Sequence, residues 1–439
     1  MKPKGLLVAV VLLAVLGGAV WYSNRKQAQK EKAPSETSPK IVSIPEAQFR
    51  EIRLQSAGAE PIVLNRDSGK WALTAPQPYP ADPDASSSLV SALSSLTADK
   101  IIEDNAADLA SYGLANPSFT VQVKEKNGKQ VELAIGDNAP TGSGVYAKVS
   151  GDPHVYMLAT YLKSSLDKSP NDLRDKRLLS LDTDKLTRLK LAAKGPAIVF
   201  GKNGKGEWEI IEPRPLRADS FQVDNLLGKL RDAKMDLATT PEEAAKKFLT
   251  ATTVAIAQVT DNSGSQTLEV RKDKDNNYYA RSSAVAGVYK VAADIGEGLN
   301  KDLDDFRNKK LFDFGFTDPS TVEIKVGSGA NAIYGRTNKT WSLGTKNMDD
   351  ASVENVIDKL RDLTATKFAD QGGGQAECRV RVVSDKGKRD ERVIVTKQGD
   401  RYFAQREGEP SIYELDAKAV ADLEKAAADV KEAAPAKKK

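Results

Sequence analysis

Three segments of the chain repeat one pattern of apolar and polar positions. Trp71, Trp208 and Trp341 lie 137 and 133 residues apart, and each begins an alternating segment after a polar, turn-like stretch: SGKWAL, KGEWEI and NKTWSL. Such alternation is typical of a strand with one buried face. Seventeen residues before each tryptophan lies another residue in a strand-like pattern, and these are Leu54, Leu191 and Ile324. The pattern predicts three strands at the start of three equivalent units.

A helix is predicted after each tryptophan. Apolar residues recur there at the spacing of one helical face: Leu89, Val90 and Leu93 in the first unit, Val223, Leu226, Leu227 and Leu230 in the second, and Val353, Val356, Ile357 and Leu360 in the third. Aspartates suit the amino-terminal cap, and a proline suits the first helical position. We expect caps at Asp82, which precedes Pro83, and at Asp219 and Asp350.

A second hairpin is predicted after each helix, with turns at Asn127-Gly128, at Ser263-Gly264 and near Gly387. Two aromatic residues ten positions apart then follow in every unit: Tyr146 and Tyr156, Tyr279 and Tyr289, and Phe403 and Tyr413. The order predicts an α+β fold of three tandem modules, each with antiparallel strands and two helices. We place the modules at residues 47–184, 185–317 and 318–430, followed by a basic tail at 431–439.

The first residues are predicted to anchor the chain in a membrane. Residues 5–22 form an uncharged, mostly apolar run of 18 residues, which as a helix would just span the apolar part of a bilayer. We predict a cytoplasmic tail at 1–4, a single transmembrane helix at 5–22 and a flexible tether at 23–46. A cleaved signal peptide is the alternative, because small residues at Gly17, Gly18 and Ala19 resemble a cleavage site. Basic residues flank the run on both sides, so the flanking charges leave its orientation open.

The net charge of +4 comes from the two ends of the chain. Residues 1–32 carry +5 and the last three lysines +3, which leaves −4 on residues 33–436. A nucleic-acid-binding protein needs positive charge on its folded surface, so we exclude that class. The lone cysteine, Cys378, also excludes a disulfide framework within the chain.

No cofactor or metal site is predicted, and no catalytic residue. His154 follows Asp152-Pro153 in a predicted turn, and its counterparts in the other units are Gly287 and Ser411. Cys378 alternates with valines and is expected to be a buried apolar residue. The glycine-rich runs at 136–144 and 201–208 lack the helix that a phosphate-binding loop needs. Residues 273–284 begin like a calcium loop but lack its glycine and its final glutamate, so they too are predicted to be a turn.

Two groups of residues are candidates for structure and binding. The aromatic repeat positions are expected to anchor the three cores: Trp71, Trp208, Trp341, Tyr156, Tyr289 and Tyr413. On this view Trp71→Ala should cost about 3 to 5 kcal/mol of stability. Basic residues at the module junctions could dock a partner: Arg174, Lys176 and Arg177, with Arg307, Lys309 and Lys310. The alternative is a solvated face or a salt bridge between modules.

Several residues of the first unit carry a family resemblance. They are Trp71, Leu73, Pro76, the Tyr112-Gly113-Leu114 and Ile135-Gly136 motifs, Pro117, Tyr146, Tyr156 and Leu173-Arg174-Asp175-Lys176. Over about residues 70–190 the chain resembles the bacterial family called domain of unknown function number 4340. Units two and three lack the Tyr-Gly-Leu and Ile-Gly motifs. The resemblance implies an amino-terminal membrane helix and genes that stand beside those of ABC-type permeases and gliding-motility-like auxiliary proteins.

From residues and resemblance together, we expect a non-enzymatic scaffold or binding protein in the bacterial inner membrane. It would pass the membrane once, place its body in the periplasm or outside the cell, and serve a transport, export or motility-like envelope complex. Its expected partners are an ABC-type permease and auxiliary subunits. Two alternatives stay open: an envelope hydrolase or glycan-active enzyme that uses unrecognised carboxylates, and a tether that faces the cytoplasm.

Overall fold

Residues 38–140, 142, 144–315 and 319–434 are described by a computed structural model. They form three antiparallel sheets with helices packed on them, which confirms the α+β class and the antiparallel strands. The predicted membrane segment at 5–22 lies outside these residues. Within them, none of the helices has the length and apolar character needed to cross a bilayer.

Each module contains one sheet and its helices. The first consists of β1 (Phe49–Ser56), β2 (Ile62–Asp67), β3 (Lys70–Ala75), β4 (Tyr79–Pro80), α1 (Pro83–Ser94), β5 (Lys100–Glu103), β6 (Phe119–Glu125), β7 (Gln130–Asn138), β8 (Val145–Val149), β9 (Val155–Leu158), α2 (Thr160–Leu166) and α3 (Pro170–Leu173). The second consists of β10 (Arg188–Ala192), β11 (Ile198–Lys202), β12 (Trp208–Glu212), β13 (Leu216–Arg217), α4 (Ser220–Arg231), α5 (Pro241–Thr250), β14 (Thr252–Asp261), β15 (Gly264–Lys272), β16 (Tyr278–Ser282), β17 (Val288–Val291), α6 (Ala293–Leu299) and α7 (Leu303–Phe306). The third consists of β18 (Thr321–Val326), β19 (Ala332–Thr337), β20 (Thr340–Leu343), β21 (Lys346–Asn347), α8 (Asp350–Asp362), β22 (Ala365–Ala369), β23 (Gln375–Ser384), β24 (Arg389–Gln398), β25 (Arg401–Arg406), β26 (Ile412–Leu415) and α9 (Ala417–Ala428).

The three sheets share one strand order. It runs β4-β3-β2-β1-β6-β7-β8-β9-β5 in the first module and β21-β20-β19-β18-β23-β24-β25-β26-β22 in the third, and the second differs only in lacking the last strand. Even the register repeats, because the second aromatic of each predicted pair lies opposite the alanine that follows the first: Ala147 with Tyr156, Ala280 with Tyr289, and Ala404 with Tyr413. The spacing in the sequence therefore reflects a repeated strand pairing.

Two predictions about the helices need correction. Within the described residues the modules have three, four and two α-helices, and only the third has the predicted two. The last helix of the first module is divided because Ser169 caps a new helix that starts with Pro170. In the third module, Asp349 rather than Asp350 caps α8. The Asp350 carboxylate instead accepts a hydrogen bond from the backbone N–H of Trp341 at 2.8 Å.

Each module is closed by two isolated backbone bridges. The segment that opens a module pairs with the residues after its main helix: Lys40 with Thr97, Arg177 with Lys234, and Lys310 with Thr364. The segment that ends a module pairs with the residues before that helix: Ala81 with Arg174, Ala218 with Arg307, and Met348 with Glu432. These bridges place the modules at residues 38–176, 177–309 and 310–434. The described residues form two compact units, one with the first module and one with the second and third modules together.

Those limits correct the boundaries drawn from the sequence. Val42 and Ile44, which were assigned to the tether, are buried in the first core. Leu178 belongs to the second core and Leu311 to the third, so both junctions lie earlier than residues 184 and 317. Lys431, placed in the basic tail, accepts a backbone hydrogen bond from Asp349 through its carbonyl oxygen. Hydrogen bonds across the module, rather than local composition, set these ends.

Candidate interaction surface

The first predicted docking strip lies where one module ends and the next begins. The backbone of Arg174 bridges to Ala81, and its guanidinium lies 3.9 Å from the ring centre of Tyr79. Arg177 opens the second module through its bridge to Lys234. Lys176 between them is half-buried. The backbone here is engaged in closing modules, and the Arg174 guanidinium lies against an aromatic ring of its own module.

The second strip differs because its arginine is buried. Arg307 is only 7% exposed, and its guanidinium donates hydrogen bonds to Asp304 at 2.9 Å and to the Ser411 hydroxyl at 3.0 Å. The guanidinium also stacks over the ring of Phe368, 3.3 Å from its centre. Arg307 therefore joins the second module to the third, and its guanidinium is enclosed in this arrangement. Lys309 and Lys310 keep exposed side chains.

A network of buried charges lies at the same junction. Arg406 on β25 pairs with Glu391 at 3.0 Å and with Glu409 at 2.7 Å. Arg217, on β13 of the second module, pairs with Asp313 and donates to the Lys310 carbonyl oxygen at 2.9 Å. The side chains of Glu391 and Arg406 are only 5% and 11% exposed. Charges at such depth require partners, and here each one has them.

Tyr413 connects this network to the third core. Its hydroxyl donates to Glu409 at 2.8 Å, and burial together with the Glu409 carboxylate raises the pKa of Tyr413 to about 12. The predicted core residue thus also orients a carboxylate of the junction. A cleft of about 780 Å³ opens beside it, lined by both modules. The three arginines of its lining pair with carboxylates of the same lining, so these charges compensate one another.

A hydrolase would need a carboxyl group with a raised pKa that faces a second one in a pocket. Burial, and secondarily Glu377, raises the pKa of Glu424 on α9. Glu424, however, lines neither that cleft nor a second depression found on the third sheet. Within the described residues, no group of three or more His, Cys, Asp or Glu side chains is arranged for a metal ion.

The other residues singled out for chemistry have structural surroundings. Burial raises the pKa of the Cys378 thiol to about 12, so at neutral pH it is a protonated, apolar side chain, as predicted. His154 approaches Asp152 with its Nδ1 atom, and the same carboxylate accepts the Tyr156 hydroxyl at 2.7 Å. Asn203 and Asp273 each accept backbone N–H bonds from the next few residues, which confirms turns at both places.

The repeat aromatics are buried to different degrees. Trp341 is fully buried and Trp208 is 8% exposed, whereas Trp71 is half-buried at the margin of the first core. The tyrosines at 156, 289 and 413 are at most 5% exposed. Anchoring is therefore found at five of the six positions. We therefore expect the loss of about 3 to 5 kcal/mol in stability for Trp341→Ala instead of Trp71→Ala, because a cavity forms only where a side chain is enclosed.

The Tyr-Gly-Leu and Ile-Gly motifs have one shared structural purpose. Tyr112 packs edge-on against Tyr146, with 4.9 Å between ring centres, and its hydroxyl donates to Glu103 at 2.7 Å. The backbone beside it lies directly on β7 at Gly136, where a Cβ atom would be 2.1 Å from the Tyr112 carbonyl oxygen. Gly113 has a φ of +65° and ends the turn. The two motifs thus fix a loop over the aromatic face of the sheet.

In the second module, the equivalent aromatic residue is covered by a helix that was not predicted from the sequence. Helix α5 places Phe248 on Tyr279, the counterpart of Tyr146, in a small cluster separate from the main core. The guanidinium groups of Arg271 and Arg281 lie 4.4 and 5.3 Å from the Phe248 ring centre. A signal was present, since Thr240 and Glu243 form a capping box around Pro241. The second module, which lacks the two motifs, thus covers the counterpart of Tyr146 with a helix.

The repeat seen in the structure coincides with a family match. The sequence model of a family described as Domain of unknown function (DUF4340) matches residues 71–208 and, a second time, residues 208–381. The chain belongs to this family. Each DUF4340 match starts at a repeat tryptophan, and the second match covers most of the second module and part of the third. The resemblance thus extends well beyond residues 70–190. No curated protein matches the chain.

Substitution of Gly136 tests the DUF4340 motif. We expect Gly136→Ala to destabilise the first module by about 1 to 3 kcal/mol, because the added methyl group would overlap a backbone carbonyl that cannot move independently. Urea unfolding of the protein, with hydrogen exchange at β7, measures the effect. Gly204→Ala is the matched control, since its Cβ would meet nothing within 4 Å and its φ is not positive. Equal midpoints for the two variants would contradict the role given to Gly136.

The opposite face of each sheet is left open over its first strands. Helices α1, α4 and α8 all pack into the main cores, on the same side as the inward residues of β1, β10 and β18. The outward residues of these strands are half-buried or exposed. Apolar side chains also lie on this face: Ile256, Ile333 and Ile394 are 39%, 49% and 44% exposed. These faces are the candidate interaction surface.

Proposed function

We propose that this chain is a membrane-anchored extracytoplasmic scaffold that binds partner proteins, as an accessory subunit of an ABC-type transport or export assembly. One observation carries the proposal: three copies of the same module each gather their main helices on one face of a sheet and leave strands of the other face accessible. Accessible strand faces that combine charged and apolar side chains are suited to protein recognition.

The buried network between the second and third modules supports the same proposal. Arg217, Arg307 and Arg406 each make contacts that tie the two modules or secure their junction. Because these contacts fix the open faces of the second and third modules, little conformational entropy is lost when a partner binds. A preorganised surface of this kind binds more tightly. The charge network has a clear use in a scaffold, whereas a flexible chain of modules would not need it.

The location in the cell belongs to the proposal too. Residues 5–22 would hold the chain in the bacterial inner membrane, with the modules in the periplasm or outside the cell and the permease within reach in the same membrane. The DUF4340 membership and the apolar run are its support. The enzyme alternative has no comparable geometric support.

The first test is recovery of partners from the native membrane. Tagged full-length protein is cross-linked in cells, extracted with mild detergent, purified through the tag, and everything that travels with it is identified by mass spectrometry. We expect a permease and an ATPase in stoichiometric amounts. An unrelated single-pass membrane protein with the same tag is the control for abundant membrane proteins. Recovery of the protein alone would contradict the scaffold proposal.

A further inference from the structure

We infer that the open face of the third sheet binds an acidic, extended segment of a partner protein, with Lys325 and Arg379 as its cationic contacts and Ile394 as its apolar contact. The inference rests on the proposed function and makes it specific, because it names both the face and the chemistry of the partner.

The cationic pair is set by strand register. Lys325 on β18 lies directly opposite Arg379 on β23, and Arg379 lies opposite Ile394 on β24. All three point away from the core, since their neighbours Ile324, Cys378 and Val393 are buried. Like charges directly opposite one another destabilise a sheet. The stability of the sheet therefore does not account for this pair.

The neighbouring arginines on this face, in contrast, form ion pairs with carboxylates. Arg381 pairs with Asp390 at 2.9 Å and with Glu323 at 3.7 Å, and Arg392 pairs with Glu407 at 3.2 Å. Among the described residues, no carboxylate forms an ion pair or hydrogen bond with Lys325 or Arg379 in this arrangement. The positive charges of Lys325 and Arg379 are therefore uncompensated within the described residues and can pair with a ligand.

The other two modules serve as internal controls. At the positions equivalent to Lys325 and Arg379, the first module has Gln55 opposite Thr120. The second module has Ala192 opposite Ile256. The fold does not require cations at these positions, and only the third module has them. The pair is therefore a feature of this module's surface rather than of the repeat.

The shape and the remaining charges favour a polypeptide over a lipid surface. The face contains a depression of about 810 Å³ that includes Lys325, Arg379 and Ile394. Glu323 and Glu407 line the same depression, each paired with an arginine, so the uncompensated positive charge is confined to Lys325 and Arg379. A protein segment can place a carboxylate at the cationic pair and an apolar side chain on Ile394, and it can avoid the two glutamates. An anionic bilayer cannot make that distinction.

Charge reversal tests the inference in the full-length protein. The variant Lys325→Glu/Arg379→Glu is compared with Lys194→Glu/Lys274→Glu, which makes the same change in charge at exposed turns of the second module. Binding of a fluorescein-labelled peptide of alternating Glu and Leu is followed by fluorescence anisotropy, with a Lys-Leu peptide as the probe control. We expect the reversal at 325 and 379 to weaken binding by about tenfold or more, more strongly at low salt, and the control to bind like wild type.

Two further measurements separate the outcomes. Thermal unfolding verifies that each variant folds, and Lys325→Gln/Arg379→Gln gives a second, neutral version of the change. Equal peptide binding by wild type and both face variants would overturn the inference. Loss of binding to phosphatidylglycerol vesicles without any loss for the peptide would assign the face to lipid and also overturn it.

The same variants in the cross-linking experiment distinguish this inference from the proposed function. If wild type recovers a permease and the reversal variant loses it while the control keeps it, both are supported. If all three recover the permease equally, the scaffold stands and the assignment of this face fails. If wild type recovers no partner but the face still binds the acidic peptide, the transport assembly is wrong and the acidic-segment site stands.

Discussion

Trp341→Ala is expected to lower the free energy of unfolding of the third module by about 3 to 5 kcal/mol. Trp341 is fully enclosed, its Nε1 atom donates a hydrogen bond to Glu354 at 2.8 Å, and the Arg336 guanidinium lies 5.5 Å from its ring centre. Truncation would remove the largest side chain among those fully buried in this structure and leave a cavity that β20 and α8 cannot close.

The measurement is urea unfolding of the full chain, with hydrogen exchange to assign the transition to a module. Each module has a core of its own, so the loss should appear in the amides of β18 to α9 and leave those of the first module unchanged. Trp71→Ala is the matched comparison and should cost clearly less, because Trp71 is only half-buried. Equal losses for the two variants would show that burial is not what makes this position important.

Arg406→Met is the second substitution with a large expected effect, about 3 to 5 kcal/mol. It keeps the length of the side chain but removes the cation that pairs with Glu391 and Glu409. The Glu391 and Glu409 carboxylates would then repel each other in a partly buried junction, and the Leu311 carbonyl oxygen would lose its hydrogen-bond donor. We expect the third module to unfold at lower urea concentration and the β13 amides at the junction to exchange faster.

A double-mutant cycle tests the cause of that loss. Arg406→Met/Glu391→Gln should be more stable than Arg406→Met alone, because the unpaired buried charge is removed together with its partner. Arg379→Met, an exposed arginine of the same sheet, is the control and should change stability by less than about 0.5 kcal/mol. Strictly additive effects of the two substitutions at 406 and 391 would contradict a coupled network.

Local sequence patterns were sufficient for features that depend on neighbouring residues. The helical faces of α1, α4 and α8, the hairpin turn at Asn127-Gly128, and the caps at Asp82 and Asp219 follow from spacing and from residue type. The second hairpin is also present, but its turn residues are Asn262 and Ser263 rather than Ser263 and Gly264, because Asp261 pairs with Gly264. Helix α5 could have been predicted in the same way from Thr240, Pro241 and Glu243. The cap of α8 could not, because two adjacent aspartates are equally suitable and only the hydrogen bond from Trp341 assigns Asp350 another partner.

The candidate sites depended much more on the tertiary structure. Arg307 and Lys310 look alike in the sequence, yet one is buried against Phe368 and the other has an exposed side chain. The pairing of Lys325 with Arg379 on the third sheet could not be predicted from the sequence either, since the two residues become neighbours only through strand register.

The sequence by itself determined the repeat, the α+β character of its unit and the buried faces of the main helices, because periodic apolar residues must find a common face to leave water. Only the tertiary structure decided where each module ends, which arginines are enclosed and which remain available for a partner. Those outcomes depend on bridges such as Arg177 with Lys234 and on ion pairs such as Arg217 with Asp313, which join residues that are far apart in the chain. Charge and register across such distances have no local signature, and they become defined only when the sheets have formed.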